Sequence, residues 1–277
     1  MNAKAKARWN IGTEVLMILL ALLFLSPFYF LLSNSVKSFG EILSDAASWP
    51  KEFIWSNYAN TWNLARFTEA FRNSLIITVL SVVLISLISA MAAYRMVRAN
   101  SRFNRIFFLL LVAAMVVPFQ TIMIPILKIV NLIGVNNSIG GLIITYLGLN
   151  VPMAIFLFHG FIKSVPLEIE EAATVDGCNP FTVFFRIVLP LLKPMLMTTI
   201  VLNALGVWND YLLPSLILQS PELRTIPLAT FSFFGQYTKQ WDLALPALVL
   251  GIAPIIAFYL LMQRYIVEGV AAGSVKG

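Results

Sequence analysis

The residues whose types and spacing could do chemistry fall into two groups. One is an acidic run, Glu168, Glu170, Glu171 and Asp176, within the polar stretch Lys163-Ser-Val-Pro-Leu-Glu-Ile-Glu-Glu-Ala-Ala-Thr-Val-Asp-Gly-Cys-Asn-Pro-Phe181. The other is a scatter of polar side chains inside long apolar runs: Gln120, Thr121, Tyr146, Asn150, Asn203, Asn209 and Asp210. Carboxylates can work as acids, bases or metal ligands, but they need partners. The chain holds one histidine, His159, and one cysteine, Cys178, so a thiolate metal cluster and an intramolecular disulfide are both excluded. No serine lies in a Gly-x-Ser-x-Gly context, which leaves a His-assisted nucleophile without support. No Gly-x-x-x-x-Gly-Lys-Ser/Thr phosphate loop occurs either, so any ATP hydrolysis belongs to another protein. His159 would need relay partners for proton transfer, and its neighbours in the chain are apolar. These absences point away from an enzyme and toward a protein that holds and moves something.

The elements that must position these residues are membrane helices. Of 277 residues, 59% are hydrophobic and 12% charged, against about a quarter charged in soluble domains. Crossing about 30 Å of hydrocarbon takes about 20 helical residues. Six stretches qualify, near 14–36, 74–97, 105–127, 138–160, 195–219 and 246–267. They are too long and too continuously apolar for barrel strands of about ten alternating residues. The fold class is therefore all-α integral membrane, with six transmembrane helices in one domain spanning 1–277. The first run follows Lys4, Lys6 and Arg8 but is longer than a signal-peptide core and lacks a small-residue cleavage site, so it reads as a retained anchor. Twelve of the 19 Lys and Arg lie on the side that carries both termini, four of them packed between Arg95 and Arg105. Basic loops stay inside, so the termini and the acidic loop are cytoplasmic. The formal net charge of +6 is spread between apolar runs, with no basic, aromatic-studded face for nucleic acid.

The cytoplasmic loop near 161–194 reads as a helix-turn-helix. Pro166 suits a first helical turn, and Glu168, Glu170 and Glu171 complement the helix dipole near its start. Gly177 can end that helix in a left-handed conformation. Asn179-Pro180 reads as the cap and first turn of a second helix that ends before Pro190. Taken alone, this fits an ordinary surface hairpin with its acids in water. In the fifth span, Pro214 cannot donate to the carbonyl of Asp210, so the helix should kink or open there. Two readings fit Asn209 and Asp210: repair of the exposed backbone, or a gate. Pro118 and Pro125 similarly interrupt the third span around Gln120 and Thr121, while Tyr146, Asn150 and Asn203 suit either a polar path or hydrogen bonds between helices. In the first outer loop, near 37–73, Asn57 is positioned to cap a short helix, and Trp49, Trp55 and Tyr58 suit interface anchoring as well as docking of a partner.

Taken together, Glu171-Ala172-Ala173, Gly177, Ile187, Leu189 and Pro190 match the coupling motif of binding-protein-dependent ABC permeases. The resemblance extends to Trp208-Asn-Asp-Tyr-Leu-Leu-Pro214, to Val117-Pro-Phe-Gln-Thr-Ile-Met-Ile-Pro125, and to the tail from Gln263 through Gly273-Ser274-Val275-Lys276-Gly277. These segments look like the carbohydrate-uptake permeases related to the maltose system, and among them the shorter six-helix partner. That resemblance implies a type I importer permease in the bacterial inner membrane, paired with a homologous second permease. It further implies two ATPase subunits carrying ATP and Mg, an extracytoplasmic sugar-binding protein, and no cofactor on this chain. The coupling role then falls on Glu168, Glu170, Glu171, Ala172, Ala173, Asp176, Gly177, Ile187, Leu189 and Pro190, and docking of the tail on Gly273 to Gly277. The cargo it implies is a sugar or oligosaccharide. Polyols and glycerol phosphate travel through similar relatives, and an ion-coupled secondary transporter is the rival that would leave the coupling loop unexplained.

Overall fold

A computed structural model describes residues 3–99, 101–235 and 239–274, with side chains given for 11–99, 101–235 and 239–263. Among the described residues all regular structure is helical, apart from one isolated bridge between Phe234 and Lys239. Two compact units are distinguished, Met1–Phe67 with Ala229–Ala253, and Thr68–Leu228 with Pro254–Gly277.

The first unit begins with α1 (Ala3–Asn34), followed by α2 (Phe39–Ser44) and α3 (Ser56–Leu64). The apolar window of α1 buries none of its residues, as befits a helix whose solvent is hydrocarbon. The loop after it folds around Lys37, which is fully buried and donates from Nζ to the carbonyls of Asp45 at 3.0 Å, Ala46 at 3.3 Å and Ser48 at 2.7 Å. Three carbonyl dipoles replace the water such a charge loses on burial. Asn57 does not cap α3: it lies inside the helix, and its amide donates to the carbonyls of Ser35 and Lys37. Cross-linking two strands of loop satisfies more buried backbone than a cap would.

The second unit holds the rest of α4 (Phe67–Arg98), then α5 (Arg102–Ala114), α6 (Phe119–Leu132) and α7 (Ile139–Ile162). Beyond these come α8 (Leu167–Val175), α9 (Pro180–Val183), a π-turn over Phe184–Val188, and α10 (Leu189–Leu191). It continues through α11 (Lys193–Asn209) and α12 (Leu212–Ile217), and α13 (Ile226–Phe231) and α14 (Trp241–Ser274) complete the chain. Among the described residues four helices are long and apolar enough to cross a membrane, and up to six spans result if each of two bent pairs counts as one.

One bent pair is α5 with α6 and the other is Pro180–Leu191 with α11, at 76°, and two of the expected straight spans are interrupted. The stretch expected at 105–127 is α5 and α6, meeting at 109°. Pro118 disfavours helical backbone at Val117, and Met115, Val116 and Val117 instead close tight turns onto Val112, Ala113 and Ala114. Pro125, by contrast, sits inside α6 without ending it. The stretch expected at 195–219 is α11, a break at Asp210, and α12. The helix expected to stop before Pro190 runs on to Leu191, because the chain widens into a π-turn in which Leu189 N–H reaches the Phe184 carbonyl. That wider turn relaxes the crowding a proline ring imposes on the turn before it.

Candidate functional site

At the end of the molecule that carries the α7–α8 connection, α8 to α10 form a folded platform. Pro166 precedes α8, and Glu168 and Glu170 occupy its first turn. The helix stops at Gly177 (φ +85°), where Gly177 N–H donates to Thr174 and Cys178 N–H to Ala173, both at 3.0 Å. This paired 5→2 and 6→1 closure needs a left-handed residue, which favours glycine. Asn179 Oδ1 then accepts from Thr182 N–H at 2.8 Å with Pro180 following, so the second helix is capped as its sequence requires.

The platform is seated by a partly buried ion pair. Glu170 is only 5% exposed. Its Oε1 accepts from Arg98 Nε at 2.9 Å and Nη2 at 2.6 Å, and its Oε2 from Tyr94 Oη at 2.8 Å. Arg98 Nη2 also donates to the Val165 carbonyl at 2.9 Å, tying the last turn of α4 to the entry of α8. Beneath this pair a continuous core joins Ala93 of α4, Phe158 and Ile162 of α7, Ala173 of α8, and Val183, Phe184, Val188 and Leu192 of the following turns. Ile187 and Leu189 pack at its edge.

The ten coupling candidates therefore divide by direction. Glu170 and Ala173 point inward, and Ile187 and Leu189 are half-buried against the core, so these four seat the platform. Glu168, Glu171, Ala172, Asp176, Gly177 and Pro190 are exposed. Two exposed apolar residues join them that the sequence reading passed over, Val175 at 87% and Phe181 at 69% exposure. Their signal was the helical period: with 170 and 173 inward, 171, 172 and 175 face out, and apolar side chains on an otherwise polar outer face mark a contact surface. Cys178 is a half-buried free thiol within the turn.

The second group converges on the helix break. Asp210 leaves the helical conformation (φ −71°, ψ 125°), and its Oδ1 accepts from Leu212 N–H at 2.9 Å and Leu213 N–H at 3.4 Å, opening α12. Its Oδ2 accepts from Tyr146 Oη of α7 at 2.9 Å. Asn209 donates back to the Leu205 carbonyl at 2.9 Å, and Asn203 to Thr199 at 2.8 Å. Asn209 and Asp210 thus both bond to backbone beside the break. Asp210 also lines a cavity of about 500 Å³ together with Tyr146, Asn150, Asn203, Gly148 and Gly206, closed on other sides by Met115, Phe119 and Ile122. Gln120 and Thr121 are exposed and lie outside that lining, and so does Asn209. His159 stacks on Phe108 with ring centroids 3.8 Å apart and belongs to neither group. Among the described residues no cluster of three or more His, Cys, Asp or Glu could hold a metal. Of the tail candidates, Gly273 and Ser274 lie in the last turn of α14 without described side chains, and Val275, Lys276 and Gly277 lie outside the described residues.

Residues 83–271 match the family described as binding-protein-dependent transport system inner membrane component. The chain is 41% identical over 259 residues to a probable starch degradation products transport system permease protein, AmyC, of Thermoanaerobacterium thermosulfurigenes, covering 94% of each chain. It is 38% identical to the multiple sugar-binding transport system permease protein MsmG of Streptococcus mutans, over 95% of each. It is also 33% identical to the melibiose/raffinose/stachyose import permease protein MelC of Bacillus subtilis, over 91% of each. A crystal structure of a bacterial ABC transporter involved in alginate import superposes with a TM-score of 0.85 at 22% identity, covering 96% of this chain and 99% of that one. At that identity the likeness is one of fold.

Proposed function

Given that the chain belongs to the binding-protein-dependent inner membrane components, among permeases of carbohydrate uptake, we propose that it pairs with a homologous permease to pass an oligosaccharide inward by alternating access. The observation that carries this reading is the platform of α8 to α10. It is rigidly seated by Glu170 and Arg98, yet it presents Ala172, Val175 and Phe181 outward. A small side chain flanked by two apolar ones is the shape a helix needs to lie closely in a groove of another protein. Two partner ATPases, which bind ATP and Mg, supply that groove. Their closure moves the platform, and the core beneath it carries the movement into α4 and α7. The residues from Gly273 to Gly277 dock on the ATPase pair.

At the other end of the path, Asp210 holds the α11–α12 break, and the cavity it lines falls within the roughly 300–1,000 Å³ of small-molecule pockets. Tyr146, Asn150 and Asn203 supply its hydrogen-bonding groups. An extracytoplasmic binding protein delivers the sugar, and the relatives' substrates make a short oligosaccharide the favoured cargo over a polyol or glycerol phosphate. The test is reconstitution in proteoliposomes with the second permease, the ATPases and the binding protein. ATP-dependent uptake of the binding protein's oligosaccharide is expected, with no ATP hydrolysis by this chain alone. Uptake driven by an ion gradient without ATPases would overturn the proposal.

A further inference from the structure

Beside the platform, at the same end of the second unit, lies a pocket of about 490 Å³ that the transport reading does not use. Its rim carries Arg105 from the first turns of α5 and Lys163, the residue that closes α7. Asn104 and His159 add hydrogen-bonding groups, and the ring of Phe108, stacked on His159, forms part of its wall with Met96. No carboxylate lines it, and among the described residues neither Arg105 nor Lys163 has an ion-pair partner. Two unneutralised cations facing one cavity call for an anion. The pocket is also bounded by α5, which buries none of its residues and exposes Phe103, Ile106, Phe107 and Leu110 along its length. A ligand that matches both features is amphiphilic, with an anionic head and an apolar tail.

We propose that this pocket binds the headgroup of an anionic glycerophospholipid, with its phosphodiester between Arg105 and Lys163 and its acyl chains along α5. The assignment of the leaflet rests on the transport reading, which makes the platform side cytoplasmic, whereas the pocket itself does not. Lys163 stands four residues before Leu167, where α8 begins, so a lipid held there braces the same connection that Arg98 ties down from α4. A free anion would satisfy the two cations but would leave the α5 face without a partner.

The test uses the full chain with its second permease, delipidated in neutral detergent and titrated with phosphatidylglycerol, with phosphatidylcholine, and with inorganic phosphate, bound lipid being counted by mass spectrometry. Taking roughly fivefold per cation at a membrane surface, Arg105→Gln with Lys163→Gln should weaken phosphatidylglycerol binding about 30-fold. Phosphatidylcholine, whose choline cation is repelled by Arg105 and Lys163, should bind the parent weakly and change little in the variant. Arg105→Lys with Lys163→Arg should retain the parent's affinity, and Lys51→Gln in the outer loop should have no effect. Equal phosphatidylglycerol binding by parent and double glutamine variant would overturn the proposal. So would displacement of the lipid by millimolar phosphate, which would mark a free-anion pocket, or loss of the second permease from the double glutamine variant, which would mark a protein interface. None of these readouts requires transport, so failure here leaves the transport reading standing.

Discussion

In the second unit two interruptions of helix depend on a carboxylate, the α7–α8 connection tied to α4 through Glu170 and the α11–α12 break capped by Asp210, and the two carboxylates are treated differently. Glu170 is buried and charge-paired: Arg98 meets it with two donors and Tyr94 with a third. Asp210 faces a cavity and is held by neutral donors alone, two backbone N–H groups and the Tyr146 hydroxyl. A guanidinium pair in low dielectric is costly to separate, whereas hydrogen bonds from neutral donors contribute about 1–2 kcal/mol each and can be exchanged for water in a cavity large enough to admit it. The proposed function asks the platform to keep its shape while it is moved, and the charge pair suits that. The Asp210 break is built so that its shape can change.

Breaking the comparison at its stronger end should give the largest effect. Glu170→Ala leaves the half-buried Arg98 without its carboxylate, which costs about 2–3 kcal/mol and should unseat α8. The expected result is normal membrane insertion, loss of ATPase co-purification, and faster proteolysis between Ile162 and Leu192. Glu170→Met with Arg98→Met should recover more protease resistance than either single change, since it removes the orphaned charge. At the other break, Asp210→Ala removes three hydrogen bonds from a half-exposed site and should cost about 2 kcal/mol. Transport, or its coupling to hydrolysis, should fall by more than the yield of folded protein does. Equal losses of both, with normal specific activity in what remains, would reduce Asp210 to packing.

Gly177→Val forces a β-branched residue to φ +85° and should cost about 1–2 kcal/mol. That is too little to unfold the second unit but enough to misplace the platform, so stimulated ATP hydrolysis should be lost with insertion intact. The smallest effect is expected from Tyr146→Phe, which removes one donor from Asp210 and should cost about 1 kcal/mol. If it stops transport outright while Glu170→Ala is silent, the roles assigned to the two breaks are reversed.

Much of the platform was legible in the chain because its signals are local. Pro166, Gly177 and Asn179-Pro180 each fix backbone within a few residues, and each acts at or beside its expected position. What could not be read was pairing across distance. Arg98 lies 72 residues from Glu170 and Tyr146 lies 64 from Asp210, and nothing in one sequence says which buried donor a buried acid will choose. The π-turn that carries the helix past Pro190 escaped for a related reason, since its cost is offset by the core that Phe184 and Val188 join. Asn137 shows the same limit outside the site. Its left-handed turn was within reach of a sequence reading, but its bonds to Gln219 and Ser220 were not.

The central claim is that α8 to α10 meet an ATPase through the outward face. It is tested most directly by placing a photo-cross-linking phenylalanine at Phe181 or Val175 in the assembled, hydrolysing complex, with the exposed Leu43 of α2 as the comparison site. The account predicts covalent adducts of ATPase mass from positions 181 and 175, depleted when the ATPases are stripped away, and none from position 43. Absence of any ATPase adduct from 175 and 181 in a complex that still hydrolyses ATP would contradict it.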